Sequence, residues 1–146
     1  NTAVQKDNTV NYWLERLGIA EVADKYPGQI SGGQRQRTAI ARTLVLEPDL
    51  LLMDEPFASL DTPTREDLQM LVQTLSAERP LTSILVTHAI EEALFMGENI
   101  LVLKNGINSQ PLVLENPFAG QLELKSEKEY QQLMSRIREE LKGKPS

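Results

Sequence analysis

At 146 residues with 40% hydrophobic content, the chain can form one modest domain or part of a larger one, and its composition is not that of a disordered segment. Fifteen Lys and Arg against 21 Asp and Glu leave a net charge of −6, which argues against a broad electrostatic surface for nucleic acid. The absence of cysteine excludes a disulfide framework and thiolate metal sites, and no run reaches the roughly eighteen apolar residues of a spanning helix or has signal-peptide form, so any membrane contact is expected through a partner.

In chain order, Val10, Trp13, Leu14 and Leu17 fall at helical spacing from Asn8 onward, and Gly18 is placed to end that helix. Trp13 reads as a core residue. A second short helix is expected over Ala20 to Lys25 before Pro27-Gly28 turns the chain. Ser31-Gly32-Gly33-Gln34 then opens a helix running to about Leu46, with Ser31 as cap and Ala39, Ile40, Leu44 and Val45 facing the core. Unpaired N–H groups at such a start suit an anionic oxygen. Arg35, Arg37 and Arg42 read as a solvated or partner-facing surface rather than a phosphate clamp.

Leu50-Leu51-Leu52-Met53 reads as a strand buried on both faces that delivers Asp54 and Glu55 at its carboxyl end, where open α/β sheets bind ligands. Adjacent strand side chains point to opposite sides, so the two carboxylates are suited to different tasks. Pro56 ends the strand. Asp61 or Thr62 can cap the next helix, with Pro63 in its first turn and Leu68, Leu71, Val72 and Leu75 as its buried stripe. The β-branched run Thr82 to Thr87 predicts a strand ending at His88, the single histidine, with Glu91-Glu92 opening a helix behind it. Gly97 closes that helix, Asn99 to Leu103 is a further strand, and Asn105-Gly106 is a hairpin turn signal. Leu112 to Leu114 predicts an edge strand. Ser126 to Glu129 has capping-box form before a helical stripe of Tyr130, Leu133, Ile137 and Leu141. The fold class is therefore α/β, a mostly parallel sheet flanked by helices, with a small C-terminal extension.

Four of these stretches, in this order, resemble the motifs of the ATP-binding cassette ATPases, the nucleotide-driven subunits of transporters. Ile30 to Gln34 is similar to the family signature, Leu50 to Glu55 to its Walker B strand, Ser59-Leu60-Asp61 to its D-loop and Thr87-His88 to its switch histidine. The resemblance runs from about Asn11 to Gly106, and the tail is more weakly similar to those of nitrate, sulfonate and taurine importer ATPases. It implies residues 1–30 as the end of a helical subdomain, 31–106 as the C-terminal half of the ATPase core, and 107–146 as an extension. It also implies ATP and Mg²⁺ as cofactors. Ser31, Gly32, Gly33 and Gln34 would meet the γ-phosphate held by a second, head-to-tail ATPase subunit, with Asp61 as a contact across that dimer. Asp54 would hold Mg²⁺, Glu55 would be the general base, and His88 would sense the γ-phosphate and steady the water. The partners implied are transmembrane permease subunits, at the cytoplasmic face of the membrane.

The departure from the family is the lack of any G-x-x-x-x-G-K-[ST] phosphate cradle. The chain is therefore expected to be a partial domain, inactive alone. Its strands are expected to present an open apolar edge. An alternative is a non-enzymatic dimerisation module that supplies its signature to a partner bearing a P-loop. A chromosome-type cassette ATPase is disfavoured by the acidic balance and by the lack of a heptad run before Ile30.

Overall fold

The computed structural model of the protein describes residues 2–78, 81–103 and 110–142. It forms two compact units, residues 1–84 and 85–146, and each is described by itself.

In the first unit, α1 (Thr2–Arg16) begins earlier than the apolar spacing predicts. It stops where Gly18 adopts a left-handed φ of 63°, a conformation with no penalty for a residue lacking Cβ. Trp13 and Leu17 are buried as expected, whereas Val10 is exposed. The predicted helix after Ala20 is a single 3₁₀ turn, Ala20–Val22, which buries Val22. In α2 (Gly32–Leu44) the buried residues are Gly33, Ile40, Ala41 and Leu44. Ala39 is exposed and Val45 is half-buried, so the apolar stripe is shifted from the predicted one. α2 packs against α1 and against α3 (Thr62–Glu78), and Arg16 is ion-paired with Glu78.

β1 (Leu50–Asp54) corrects the expectation of a strand buried on both faces. Leu51 and Met53 are in the core, while Leu50 and Leu52 are 45% and 67% exposed. Strand side chains alternate, and only one side of β1 meets packed elements among the described residues. β2 (Thr82–Val86) is its sheet neighbour. Thr82 N–H donates to the carbonyl of Asp49 at 3.0 Å, so the starts of the two strands lie together and they run parallel across the α3 connection. In α3, Leu68, Val72 and Leu75 are buried as predicted; Leu71 is only half-buried and Gln69 is buried instead.

The second unit comprises α4 (Ile90–Met96), β3 (Asn99–Val102), β4 (Leu112–Glu115) and α5 (Lys128–Lys142). β3 and β4 pair antiparallel, Ile100 opposite Leu114 and Leu101 opposite Val113. The first pair is buried and the second exposed, as the two-residue period requires. The expected turn at Asn105-Gly106 lies outside the described residues. α5 supplies Tyr130, Met134 and Ile137 to a core with Leu94, Ile100, Val102, Leu114 and Phe118. Ser126 is not its cap: it ends a 3₁₀ turn (Leu122–Ser126), and the carbonyl of Glu127 accepts from Gln131 N–H as α5 begins. Leu141, predicted in the stripe, is exposed. Asn116 is buried and satisfied. Its amide donates to the carbonyls of Leu94 (2.7 Å) and Gly97 (2.6 Å), and its Oδ1 accepts from Phe118 N–H at 3.1 Å.

Tyr130 is 2% exposed and packs edge-on to Phe118, yet its hydroxyl has no hydrogen-bond partner among the described residues. Burial, aided by the Glu91 carboxylate, pushes its phenol above the ordinary value of 10.0. The native state thus holds this proton more tightly than the unfolded chain, and stability falls as pH rises past about 10. Tyr130→Phe is expected to stabilise by about 1 kcal/mol at neutral pH, where it removes an unsatisfied buried group. It should also flatten the alkaline loss. Urea unfolding at pH 7 and above pH 10 measures both effects.

Candidate functional site

The glycine turn before α2 is built by reciprocal capping. Ser31 Oγ accepts from Gln34 N–H at 3.1 Å, and Gln34 Oε1 accepts from Ser31 N–H at 2.9 Å. Gln34 also donates to Glu21 at 3.3 Å, which ties the turn to the preceding 3₁₀ segment. Gly32 and Gly33 occupy the first helical positions, where an N–H has no intrahelical acceptor. Arg35 is exposed, as on the solvated or partner-facing surface expected, and Arg37 is half-buried. Arg35 donates to the carbonyl of Ile30, just before the turn, at 2.7 Å, and Arg37 donates to that of Leu17 after α1 at 2.9 Å. Arg42 is exposed.

Asp61 is the cap of α3, rather than Thr62. Its Oδ2 accepts from Thr64 N–H at 3.3 Å, and its carbonyl accepts from Arg65 N–H at 2.9 Å. The Leu60 carbonyl takes a hydrogen bond from Arg65 at 2.8 Å, which pins the segment leading into Asp61. The structure brings this cap against the glycine turn: Leu60 lies beside Gly32, and Thr64 beside Gly33. Ser31 to Gln34 and Asp61, far apart in sequence, thus border one region of the first unit.

Asp54 is exposed at the end of β1, and Glu55 follows it half-buried. Glu55 has φ 46°, in the left-handed region that few non-glycine residues occupy. The strand ends at Asp54, and Glu55 stands at a backbone turn directly after it. Phe57, fully buried three residues after Asp54, anchors the chain beyond the break. Among the described residues no group of three or more His, Cys, Asp or Glu could hold a metal ion by itself. The donor set fits Mg²⁺ carried with phosphates, which needs one or two carboxylates and water, and does not fit an all-protein cage.

His88 lies in the second unit, exposed in the bend between β2 and α4. Thr87 holds that bend: its Oγ1 accepts from Ala89 N–H at 3.0 Å, and its hydroxyl donates to the buried Glu92 at 2.7 Å. Sequence reading placed Glu92 only at the helix start. Its spacing of five residues from Thr87 was visible, but the hydrogen bond depends on how α4 turns back.

An α/β chain with a capped glycine turn beside a capped aspartate, and two carboxylates after a parallel strand, has the architecture of folds that bind ligand at strand ends. The comparisons narrow the class. The sequence model of the ABC transporter family matches residues 1–58. The aliphatic sulfonates import ATP-binding protein of Agrobacterium fabrum is 47% identical over 93 residues, 64% of this chain and 36% of that protein. The nitrate import ATP-binding protein of Synechococcus elongatus is 44% identical over 97 residues, 66% of this chain and 15% of that protein. A crystal structure of an ATP-binding cassette of an ABC transporter in its ADP conformation superposes with a TM-score of 0.69 at 23% identity, covering 92% of this chain and 50% of that one, and supports the fold. Over the matched residues the chain is similar to the ATP-binding proteins of the ABC transporter family. It spans about a third of the length of the sulfonate relative and less of the nitrate one.

Hydrogen bonds from the side chain and N–H of Thr64 hold the Asp61 carboxyl below its ordinary value of 3.8. The native state therefore binds this proton less tightly than the unfolded chain. Its contribution to stability is present at neutral pH and is lost as pH falls from the ordinary carboxylate range through the lower native value. Asp61→Asn should give a shallower acid limb in urea midpoints measured between neutral pH and the onset of acid unfolding.

Proposed function

We propose that this chain acts as part of the ATP-hydrolysing subunit of an importer for small anions of the sulfonate or nitrate kind. The observation that carries the reading is the junction of the Ser31–Gln34 turn with the Asp61 cap, because both elements would have to face the same nucleotide in an assembled dimer. The names of the sulfonate and nitrate relatives supply the substrate class. The 146 residues include no glycine-lysine phosphate cradle. The nucleotide would then be held by residues outside this chain or by another subunit, and this chain alone would bind ATP weakly and turn it over negligibly.

In the assembled site, Ser31 and the N–H groups of Gly32 and Gly33 orient the γ-phosphate of the nucleotide held opposite. Gln34, as the reciprocal arm of the cap, keeps that turn in shape. Asp54 would hold Mg²⁺, which supplies charge compensation on the phosphate oxygens when bound. Glu55, at the strained backbone turn after the strand, takes the proton of the attacking water. His88, presented by the Thr87 to Glu92 brace, steadies the γ-phosphate side of that water. Asp61 contacts the second ATPase subunit, and transmembrane permease subunits at the cytoplasmic face of the membrane receive the work. Among the described residues no helix is long and apolar enough to cross a membrane.

Calorimetry with ATP and Mg²⁺, on this chain alone and mixed with a polypeptide carrying a P-loop half, tests the reading. Binding only in the mixture is expected. Tight binding by the chain alone would overturn it. In the mixture, Glu55→Gln should lower hydrolysis by roughly 10²- to 10⁴-fold and leave ATP binding intact.

A further inference from the structure

The helix that follows His88 is held at both ends by groups outside it. α4 has only seven residues, well short of the roughly 12 to 15 at which an isolated helix becomes even marginally stable in water, so its placement depends on what holds those ends. At the first turn Ala89, the residue before the helix, makes no capping hydrogen bond with its side chain. The link there is the buried Glu92, which accepts from the Thr87 hydroxyl at 2.7 Å, while Thr87 Oγ1 accepts from Ala89 N–H at 3.0 Å. His88 thus stands between two residues that one hydroxyl ties together.

At the last turn the carbonyls have no acceptor role left inside a helix and need donors from elsewhere. Gly97 N–H donates to the Ala93 carbonyl at 2.9 Å, and the C-terminal extension supplies the next two donors. The Asn116 amide donates to the Leu94 carbonyl at 2.7 Å, and Gly120 N–H to that of Phe95 at 2.8 Å. The same Asn116 nitrogen reaches the Gly97 carbonyl at 2.6 Å. Leu94 also sits in the core with Ile100 and Leu114, so a shift of its carbonyl is a shift of the helix.

We propose that Asn116 is a positioning residue for His88. By completing the C-terminal end of α4 it fixes the helix whose first turn carries Glu92, and Glu92 through Thr87 sets the backbone on either side of His88. Each step is a hydrogen bond or the helix itself, so the path is physically continuous. The inference deepens the functional reading above and rests on it only for the consequence in hydrolysis. The linkage is a property of this chain without nucleotide.

The first test is therefore amide hydrogen exchange on the nucleotide-free chain at low, rising urea. The N–H groups of Ala89, Gly97 and Gly120 should open as one unit with a common urea dependence. An Ala89 that exchanges through an opening separate from that of Gly120 would overturn the linkage. Asn116→Ala should speed Ala89 exchange roughly tenfold, the equivalent of about one net hydrogen bond, and move the imidazole resonances of the single histidine. Thr87→Ser keeps the hydroxyl and should leave both signals native, whereas Thr87→Val removes it. In the Thr87→Val background Asn116→Ala should have no further effect on Ala89, because the acceptor is already gone. Equal acceleration in both backgrounds would mean general loosening and would sink the proposal. Should Asn116→Ala fail to fold, the exchange of the native chain decides alone. In the mixture with a P-loop half, Asn116→Ala should lower hydrolysis and leave ATP binding intact. Absence of ATP binding in the native mixture would instead overturn the functional reading, which the nucleotide-free signals do not depend on.

Discussion

The close approach of Gly33 to Thr64 leaves no room for a side chain at the second position of α2, and the surroundings of the site follow from that exclusion. Because α2 can lie so near the start of α3, the Ser31 cap and the Asp61 cap share one border. Each cap satisfies its own helix end, so the backbone groups at the junction are fixed by local hydrogen bonds before any ligand is considered. Arg35 and Arg37 each donate to a main-chain carbonyl of the segments before α2, Ile30 and Leu17. The result is a small preorganised corner made from residues that are about thirty positions apart.

The carboxylate end of β1 follows a different logic. A strand is ended cheaply by a proline, yet here the turn comes one residue earlier, at a glutamate held in left-handed backbone. Buried Phe57 and Leu60 on the far side keep the chain on that course. Strain of this kind is retained only where neighbouring packing over-determines the backbone. The turn leaves Asp54 exposed at the strand end and Glu55 half-buried after it.

Much of this was legible in the sequence because it rests on short-range chemistry. Ser31, Asp61 and Gly18 act within a few residues of their own position, and the order of the four motifs carries the resemblance to the family. The burial of Trp13 and Leu68 likewise followed from helical spacing. What could not be read depends on which surfaces meet. Leu50 and Leu52 are as apolar as Leu51, so composition predicts burial of both faces, but burial needs a second packed layer. The exposure of Ala39 and the burial of Gln69 depend on the rotation of each helix about its axis, to which a small or uncharged residue is indifferent. Ser126 to Glu129 has the letters of a capping box, but Leu124 and its neighbours form a 3₁₀ turn that ends at Ser126, short of the helix start at Lys128. Thr64, Thr87 and Glu92 carry no motif of their own, and their roles arise from tertiary proximity.

Asn116 gives the second unit an unusual relation to time. Its amide is a two-armed donor to the carbonyls of Leu94 and Gly97, so hydrolysis to aspartate would set a negative oxygen against two acceptors in a buried place. Asparagine usually ages when the following backbone nitrogen attacks its side chain. The following residue here is Pro117, whose nitrogen carries no hydrogen to give up. The amide on which α4 and the β-hairpin both lean is thus shielded, by its neighbour in the chain, from the commonest route of its own chemical decay.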